Sequence, residues 1–465
     1  MKALVVAGTH SGVGKTSIAV GLMTAFVKRG LRVQPFKVGP DFIDPSHHCR
    51  ATGRTSRNLD GWMLSRQWNQ RIFAKSAIDV DVAIVEGVMG LFDGYDGKSE
   101  SGSTAEIAKW LDAPILLIVD AWAMSRSAAA LIRGFETFDP KLKFAGVLFN
   151  RVAGPSHLTW IREAVEPHCK IRVLGGVPKD PGIMIPERHL GLWMSHEARL
   201  PQKYISRLGE LVEKNVNLDA LLKSIKGKAA GRSPGTQAMA TPLGAREHAL
   251  RIPLENRRHS LVRIGVARDE AFCFYYQDNL DLLEDFGAKL VPFSPLREKL
   301  PAELDLIYLG GGYPELHAKK LASNKVLLEA LRCFAHAGGK IYGECGGLMY
   351  LSRGIIDPEG KRYPLCGIFP FWTRMTSRVK LAYTDVKTTL GCRLFSAHKK
   401  IRGHFFHFSE IEGKPRCQTG YRVKTYGSPS AREGFRVKNV LASYIHLHFG
   451  SNPEFARSLA RKAGL

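Results

Sequence analysis

The stretch VVAGTHSGVGKTSIAVGL, residues 5–22, places a glycine-rich turn between a short valine-rich run and a segment with apolar residues at helical spacing. Such a turn between a strand and a helix leaves backbone N–H groups free to bind an anion. Five residues separate Gly8 from Gly14, one more than in the usual P-loop, yet Gly-Lys-Thr after a strand still predicts nucleotide binding. The alternative is a tight turn with a solvated lysine. We expect ATP to contact the following residues: Gly8, Thr9, Gly12, Val13, Gly14, Lys15 and Thr16.

A lysine, a hydroxyl and a carboxylate are expected around the outer phosphates. Lys15 can reach these phosphates, and the Thr16 hydroxyl is placed to coordinate Mg²⁺. The run VAIVEGVMGLFDG, residues 82–94, predicts a buried strand that ends at Glu86. Its carboxylate can hold Mg²⁺ directly or through water, and the alternative for it is a helix cap.

Another predicted strand end lies in FKVGPDFIDPSHH, residues 36–48. A lysine here, Lys37, can neutralise a developing acyl phosphate. Asp41 and Asp44 can bind a second metal ion or orient the substrate, and Asp41 is a predicted metal ligand together with Thr16 and Glu86.

Two further polar features follow predicted strands. His47 and His48 are adjacent, and adjacent side chains in regular structure cannot both face one site, so we expect a surface or substrate-contacting loop rather than a metal site. The run VLFNRV, residues 147–152, ends a strand with Asn150, whose amide could pair with the edge of a purine.

Short apolar runs alternate with helical segments and predict an α/β protein with two domains. Residues 1–222 are expected to form a P-loop domain with a parallel sheet covered by helices, and functional residues at the carboxyl ends of its strands. Residues 223–260 are rich in basic, glycine and proline residues and predict a flexible linker. A second α/β domain is expected at 261–465.

Composition restricts the class of protein further. The 465 residues are 45% hydrophobic and 24% charged, which is typical of a soluble globular protein. Asp120 and Arg126 interrupt the most apolar region, and the N-terminus has no charged leader, so neither a membrane span nor a signal peptide is expected. Eight cysteines without a CxxC pair favour reduced thiols in the cytoplasm.

The formal charge of +24 raises the question of an acidic partner. Nucleic acid, a polycarboxylate or polyphosphate substrate, and a generally basic surface are the three candidates. No helix-turn-helix, zinc-finger or ribonucleoprotein motif occurs in the sequence. We therefore expect no nucleic-acid partner.

The run GKIYGECGGLMYL, residues 339–351, places Cys345 on a glycine-flanked turn between a strand and a helix. A nucleophile elbow has this layout, and the partial positive charge of a helix N-terminus favours the thiolate. The N–H of Gly346 and one from Gly311, in LGGGYPE at residues 309–315, can form an oxyanion hole. The alternative is a buried structural cysteine.

A general base is expected downstream, in LASYIHLHFGSNP at residues 441–453. His446 and His448 are spaced to share one face of a strand, and one of them should activate Cys345. Together, the first domain can phosphorylate a carboxylate with ATP, and the second can release ammonia from glutamine. The predicted product is an amide.

The chain resembles the cobyrinic and hydrogenobyrinic acid a,c-diamide synthase family over nearly its whole length. The similarity implies a dethiobiotin-synthetase-like ATPase domain fused to a class I glutamine amidotransferase domain. It implies stepwise amidation of the a and c acetates of a corrinoid polycarboxylate, with ATP, Mg²⁺ and glutamine, and a polycarboxylate suits the positive charge. The matching motifs are GTHSGVGKT, KVGPDFIDPSHH, VEGVMGLFDG, LGGGYPELH, YGECGGLMYL and ASYIHLHFGSNP.

The chain also departs from the common amidotransferase pattern. Most class I enzymes carry a glutamate two residues after the histidine, where this chain has His448, so the resemblance implies a dyad of Cys345 and His446. The related motif RGHEFHYS is RGHFFHFS here, with Phe405 in place of its glutamate. A substitute acid from that segment is therefore in doubt.

Related functions stay open at this point. A nickel-sirohydrochlorin a,c-diamide synthase and a cobyric acid synthase use similar domains, and the motifs do not name the macrocycle or its metal. A DNA-associated partitioning ATPase shares the P-loop, but those proteins usually carry a lysine where this chain has His10 and have no cysteine elbow. A homodimer also stays open, since the sequence does not decide the oligomeric state.

Overall fold

The computed structural model divides the chain into two units, Met1–Ala238 and Met239–Leu465. The predicted linker, residues 223–260, lies outside the described residues except for its first three. In the described part of the chain, no helix combines the length and the apolar character needed to cross a membrane. The structure describes residues 2–180, 182, 187–188, 191–192, 202–225 and 262–461.

The first unit is built on a parallel sheet, as the alternation of apolar runs predicts. Its order is β3-β2-β4-β1-β5-β6-β7, so β1 lies in the middle and its carboxyl end lies between those of β4 and β5. The residues of β2, β4 and β5 are almost all buried, which explains the continuous apolar runs of β4 and β5. The short β3 was not predicted. The strands are β1 (Lys2–Gly8), β2 (Val33–Val38), β3 (Arg57–Leu59), β4 (Val82–Glu86), β5 (Ile115–Asp120), β6 (Phe144–Val152) and β7 (Val173–Pro178).

Helices follow most of these strands, and two of them pack unusually closely. A Cβ atom on Gly21 of α1 would lie 2.5 Å from Cγ2 of Val212 and 2.9 Å from the carbonyl oxygen of Leu208, both on α7. A short ribbon, β8 (Glu187–Arg188) and β9 (Gly191–Leu192), precedes α7. The helices are α1 (Lys15–Lys28), α2 (Ile43–Thr52), α3 (Arg66–Ser76), α4 (Thr104–Leu111), α5 (Ser127–Phe138), α6 (Pro155–Val165), α7 (Gln202–Asn215) and α8 (Leu218–Ser224).

The second unit has a twelve-stranded mixed sheet. Its first half is parallel, in the order β11-β10-β12-β13-β20. This half contains the strands that the apolar runs VRIGVARD, AKLVPFSP, LDLIYLGGG and GKIYGECGG predict. These strands are β10 (Val262–Ala267), β11 (Ala288–Phe293), β12 (Leu306–Leu309), β13 (Lys340–Glu344) and β20 (Val440–Ser443). The helices are α9 (Gln277–Asp285), α10 (Ala318–Ser323), α11 (Lys325–His336), α12 (Gly346–Leu351) and α13 (Glu454–Leu459).

The other half of this sheet was not predicted. Beyond β20 the order continues β19-β18-β16-β14-β15, and β19, β18 and β16 pair in antiparallel. The strand β17 pairs with β16 and with β21, which brings the end of the chain back to the long hairpin. These strands are β14 (Gly354–Ile356), β15 (Arg362–Pro364), β16 (Trp372–Thr388), β17 (Lys400–Ile411), β18 (Gln418–Thr425), β19 (Ala431–Val437) and β21 (His446–Leu447).

Candidate active sites

The phosphate loop connects β1 to α1 and needs glycine at its last position. Gly14 has φ 91°, in the left-handed region that glycine adopts without strain, and it caps α1. A Cβ atom there would lie 2.2 Å from Nδ2 of Asn150. The Asn150 amide donates to the carbonyl oxygen of Val13 at 2.8 Å, so this predicted purine contact also braces the loop.

Lys15 points back over the loop that it follows. Its ammonium donates to the carbonyl oxygens of Met89, at 2.5 Å, and His10, at 3.4 Å. Burial, followed by the neighbouring charge of Lys37, lowers the pKa of Lys15. Met89 has φ 47°, so its backbone is strained where its carbonyl faces this lysine.

Three predicted site residues form one contact group at the ends of β2 and β4. The Thr16 hydroxyl donates to Oε1 of Glu86 at 2.8 Å, and the Lys37 ammonium donates to the same oxygen at 3.1 Å. Glu86 and Lys37 are both almost fully buried, at 0% and 3% exposure. The parallel register places Lys37 beside Glu86, which explains why two distant motifs meet here.

The same lysine joins the two predicted aspartates to this group. Its Nζ lies 2.6 Å from Asp44 and 3.8 Å from Asp41. Burial works to lower the pKa of Lys37, but the carboxylates of Asp44, Glu86 and Asp41 outweigh it and raise that pKa. Burial and the two other carboxylates raise the pKa of Asp44 well above its usual value. The site therefore holds one fixed positive charge among three carboxyl groups.

His47 and His48 lie in a helix rather than in the surface or substrate-contacting loop that we expected, so the prediction of a loop is wrong. Both side chains are buried in α2, at 1% and 0% exposure. His48 Nε2 lies 2.6 Å from Oε2 of Glu86, and its Nδ1 lies 3.1 Å from Oγ of Ser56. Burial tends to raise the pKa of Glu86, but Lys37 and the bond to His48 outweigh it and lower that pKa. Sequence spacing gave no signal for the contact between His48 and Glu86.

Thr16 and Glu86 provide the kind of oxygen atoms that Mg²⁺ prefers. The described residues contain no group of three or more histidine, cysteine or carboxylate side chains arranged to hold a metal ion. Mg²⁺ usually keeps several waters and substrate phosphates and takes only one or two carboxylates, so an incomplete protein cage fits it. The donor set of these two residues is therefore compatible with Mg²⁺.

Cys345 forms the predicted elbow between β13 and α12. Its φ is 49° and its ψ −102°, a strained combination for a residue with a side chain. The turn is tightly packed, because a Cβ on Gly347 would lie 2.2 Å from the carbonyl oxygen of Leu309. The Cys345 N–H donates to the carbonyl oxygen of Ser443 on β20 at 2.7 Å, which anchors the elbow to the sheet.

The protonation of Cys345 differs from the expectation. Its side chain is buried at 4% exposure. Burial, with a smaller contribution from Glu315, raises the pKa of the thiol to about 12, although the Gly346 N–H works in the opposite direction. The helix that it caps has only six residues. The resting group is therefore a thiol, and a base must take its proton.

The glycine loop after β12 lies against both the elbow and the predicted base. The Gly311 N–H already donates to the carbonyl oxygen of Phe274 at 3.3 Å. The amide nitrogen of the next residue, Gly312, lies 3.2 Å from the position of a Cβ on Gly346. The Gly312 N–H therefore lies near Gly346, the other residue that the sequence predicts for the oxyanion hole, while Gly311 is the predicted partner.

His446 is buried beside this loop. A Cβ on Gly311 would lie 2.3 Å from Cε1 and 3.0 Å from Nε2 of the imidazole, so Nε2 faces the glycine loop. The His404 ring of β17 stacks on it, with centroids 5.0 Å apart and planes 15° from parallel. Burial, then the neighbouring His407, lowers the pKa of His446 to about 3. His446 is therefore neutral near pH 7.

His448 has different neighbours. Its Nδ1 accepts a hydrogen bond from the Gly450 N–H at 3.1 Å, and its ring packs on Tyr276 with centroids 4.4 Å apart. The Tyr276 hydroxyl oxygen in turn lies 2.8 Å from Nδ1 of His404. Burial lowers the pKa of His448 to about 3. It belongs to an aromatic cluster.

A buried carboxylate precedes the elbow, and the sequence analysis did not assign it. Glu344 accepts hydrogen bonds from the Tyr342 hydroxyl at 2.7 Å, the Tyr308 hydroxyl at 2.8 Å and the Leu447 N–H at 3.0 Å. Its Oε2 lies 3.9 Å from Nδ1 of His446. In the sequence, the position of Glu344 directly before Cys345 was the signal that could have drawn attention to it.

Comparisons with known proteins agree with this division of the chain. A model described as the CobQ/CobB/MinD/ParA nucleotide binding domain matches residues 4–192. A model described as the CobB/CobQ-like glutamine amidotransferase domain matches residues 263–454. A nucleotide-binding unit joined to an amidotransferase unit with a cysteine elbow defines a glutamine-dependent ligase.

Relatives cover almost the whole chain. A cobyrinate a,c-diamide synthase from Syntrophotalea carbinolica is 44% identical, over 98% of this chain and 97% of its own length. Proteins of the same name from Archaeoglobus fulgidus and Methanothermobacter thermautotrophicus are each 40% identical, over 99% of this chain and 97% and 99% of theirs. The chain belongs to the cobyrinate a,c-diamide synthase family.

Proposed function

We propose that the protein converts the a and c acetate carboxylates of cobyrinate into amides, using ATP and taking ammonia from glutamine. The observation that carries this proposal is the 44% identity to a cobyrinate a,c-diamide synthase over 98% of the chain. The buried group around Lys37 and the elbow at Cys345 provide the two chemistries that such an enzyme needs.

In the first unit, the phosphate loop and Lys15 bind the phosphates of ATP. Lys15 turns from carbonyl oxygens to phosphate oxygens, which are stronger partners for an ammonium group. Thr16 and Glu86 would hold Mg²⁺, which would neutralise negative charge on the transferring phosphoryl group. Asn150 keeps the loop in shape through Val13.

A substrate carboxylate attacks the terminal phosphorus of ATP, which forms an acyl phosphate and releases ADP. The Lys37 ammonium, held by the surrounding carboxylates, is placed to stabilise the added negative charge without reorganisation. Asp41, less buried than Asp44, is the carboxylate more accessible to the substrate. Ammonia then attacks the acyl carbon, and phosphate leaves.

In the second unit, His446 takes the proton of Cys345, and the thiolate attacks the side-chain carbonyl of glutamine. The Gly346 N–H and the neighbouring N–H of Gly312 stabilise the oxyanion. His446 then protonates the leaving nitrogen, so that ammonia departs and a thioester remains. Water hydrolyses the thioester to glutamate and restores the thiol.

Three further properties belong to this proposal. Mg²⁺ is the metal ion, because the oxygen donors of the site suit it. The cytoplasm is the compartment, because none of the eight cysteines forms a disulfide bond in the structure. A homodimer stays a prediction.

Mass spectrometry tests the proposed reaction. Cobyrinate incubated with the protein, ATP, Mg²⁺ and glutamine should lose about 1 Da for each carboxylate converted to an amide, up to two conversions. The Cys345→Ala variant should give the same products with ammonium salts but not with glutamine, since only the ammonia source needs the thiol. An unchanged corrinoid with both nitrogen sources would overturn the proposal.

A further inference from the structure

The base of a cysteine amidotransferase works better when a carboxylate faces its second ring nitrogen. Such a carboxylate fixes the tautomer and stabilises the imidazolium that forms when the base takes a proton. In this chain the position two residues after His446 holds His448, whose ring is neutral because burial lowers its pKa to about 3. The segment around Phe405 offers histidines rather than a carboxylate.

The geometry points to a replacement from another element. We propose that Glu344, the last residue of β13, is the positioning residue that orients His446 and stabilises its protonated form. This inference rests on the proposed glutaminase activity and adds to it a residue that precedes the nucleophile directly. The carboxylate and the nucleophile therefore come from one strand end.

The contacts of Glu344 suit this role. Its Oε2 lies 3.9 Å from Nδ1 of His446, while Nε2 of the same ring faces the glycine loop. Its Oε1 accepts from the Leu447 N–H at 3.0 Å, so the same carboxylate also holds the backbone next to the base. A distance of 3.9 Å is longer than a hydrogen bond, but such contacts commonly tighten when substrate binds.

Two tyrosines keep the carboxylate in place. The Tyr308 and Tyr342 hydroxyls donate to its two oxygens at 2.8 Å and 2.7 Å. These hydrogen bonds and the Leu447 N–H favour the charged form, while burial opposes it and raises the pKa of Glu344 to about 7. The carboxylate is thus available as an anion above neutral pH.

The other titratable groups around this pair stay neutral near pH 7. Burial raises the pKa values of the surrounding tyrosines and of the Cys345 thiol, and lowers those of the surrounding histidines. A change in reactivity near pH 7 would therefore report on Glu344. The groups that face the pair are Tyr275, Tyr308, Tyr342, Cys345, His404, His407, Tyr421 and His446 itself.

The test is alkylation of Cys345 by iodoacetamide, followed by mass spectrometry of its peptide as a function of pH. In the wild type the rate should show a step near pH 7 above the steady rise that any thiol shows with pH, because ionised Glu344 stabilises the proton on His446. Glu344→Gln should lose this step and fall about tenfold at pH 8. Its kcat for glutamine hydrolysis should fall by a similar factor with little change in KM.

Two variants separate positioning from folding. Glu433→Gln removes a half-buried carboxylate, which accepts from the Tyr444 N–H at 2.9 Å and the Ser443 hydroxyl at 2.5 Å, and should keep the step near pH 7. Glu344→Asp keeps a carboxylate and should restore part of that step even if it lowers stability. If Glu344→Gln keeps the wild-type pH profile and kcat, or if Glu433→Gln loses the step equally, the inference is wrong. A wild type without glutaminase activity would overturn the proposed function itself.

Discussion

His446 and His448 lie two residues apart, yet their rings meet different groups. His446 faces the glycine loop through Nε2 and Glu344 through Nδ1. His448 accepts a backbone hydrogen bond and packs on Tyr276. A general base needs access to the proton that it removes, and His446 has the neighbours that suit this task.

Replacement of each histidine should separate the two roles. His446→Ala should lower the rate of glutamine hydrolysis by two to four orders of magnitude, about the range for loss of a general base. His448→Ala should cost much less. Steady-state release of glutamate measures both, and ammonia-dependent amidation should persist in His446→Ala. A larger loss in His448→Ala would reverse the assignment.

His48 is the residue-scale contact that the sequence did not reveal. Its loss would remove a hydrogen bond to the fully buried carboxylate of Glu86. We expect His48→Ala to lower the free energy of unfolding of the first unit by about 1–3 kcal/mol, the cost of leaving such a group without its donor. Urea denaturation measures this free energy of unfolding. The exposed His168→Ala should change the same quantity by less than about 0.5 kcal/mol.

Helices and strands could be predicted from the sequence where the pattern is local. Short runs followed by a glycine-rich turn predicted β1 and β13 with the loops that follow them, because strand, turn and helix are adjacent in the chain. The antiparallel half of the second sheet was not predicted. Its strands β16 and β17 are half-exposed and polar, so they lack the continuous apolar run that marks a buried strand.

The prediction of the site residues was also limited, because local patterns do not show contacts between distant segments. Cys345, Lys15 and Glu86 could be predicted because each lies in a recognisable motif at the end of a strand or in the turn that follows one. The contacts of His48 and Glu344 depend on which strands and helices are neighbours, which local patterns do not contain.

The packing of α1 on α7 gives a test at the level of elements. Gly21→Ala would bring a methyl group within 2.9 Å of the carbonyl oxygen of Leu208, so the helices must move apart. We expect a loss of about 1–3 kcal/mol in the free energy of unfolding. A Cβ atom at Gly134 in α5 would meet no atom of another segment within 4 Å. Gly134→Ala should therefore raise the free energy of unfolding by about 0.5–1 kcal/mol. Equal shifts in urea denaturation would contradict this picture of the packing.

The molecule as a whole divides its chemistry between two units. The phosphate loop and the Lys37 group lie in the first unit, and the Cys345 elbow lies in the second. The division predicts that variants in the two units lose different activities.

Lys15→Ala should remove amide synthesis from glutamine and from ammonia alike, by at least about 10²-fold, because both routes need the activated carboxylate. Release of glutamate from glutamine should continue. Amide formation and glutamate release, measured on the same preparation, distinguish this variant from Cys345→Ala, which loses only the use of glutamine. Unchanged ammonia-dependent turnover would show that the loop does not activate the substrate.

The burial of Cys345 also affects how fast oxidants react with this side chain. A thiolate reacts with peroxide far faster than a thiol does, and burial keeps this side chain in the thiol form at 4% exposure. Cys333, on α11, is exposed to solvent. Oxidative damage should therefore appear first as a modified Cys333, while the nucleophile survives to be used once its base takes the proton.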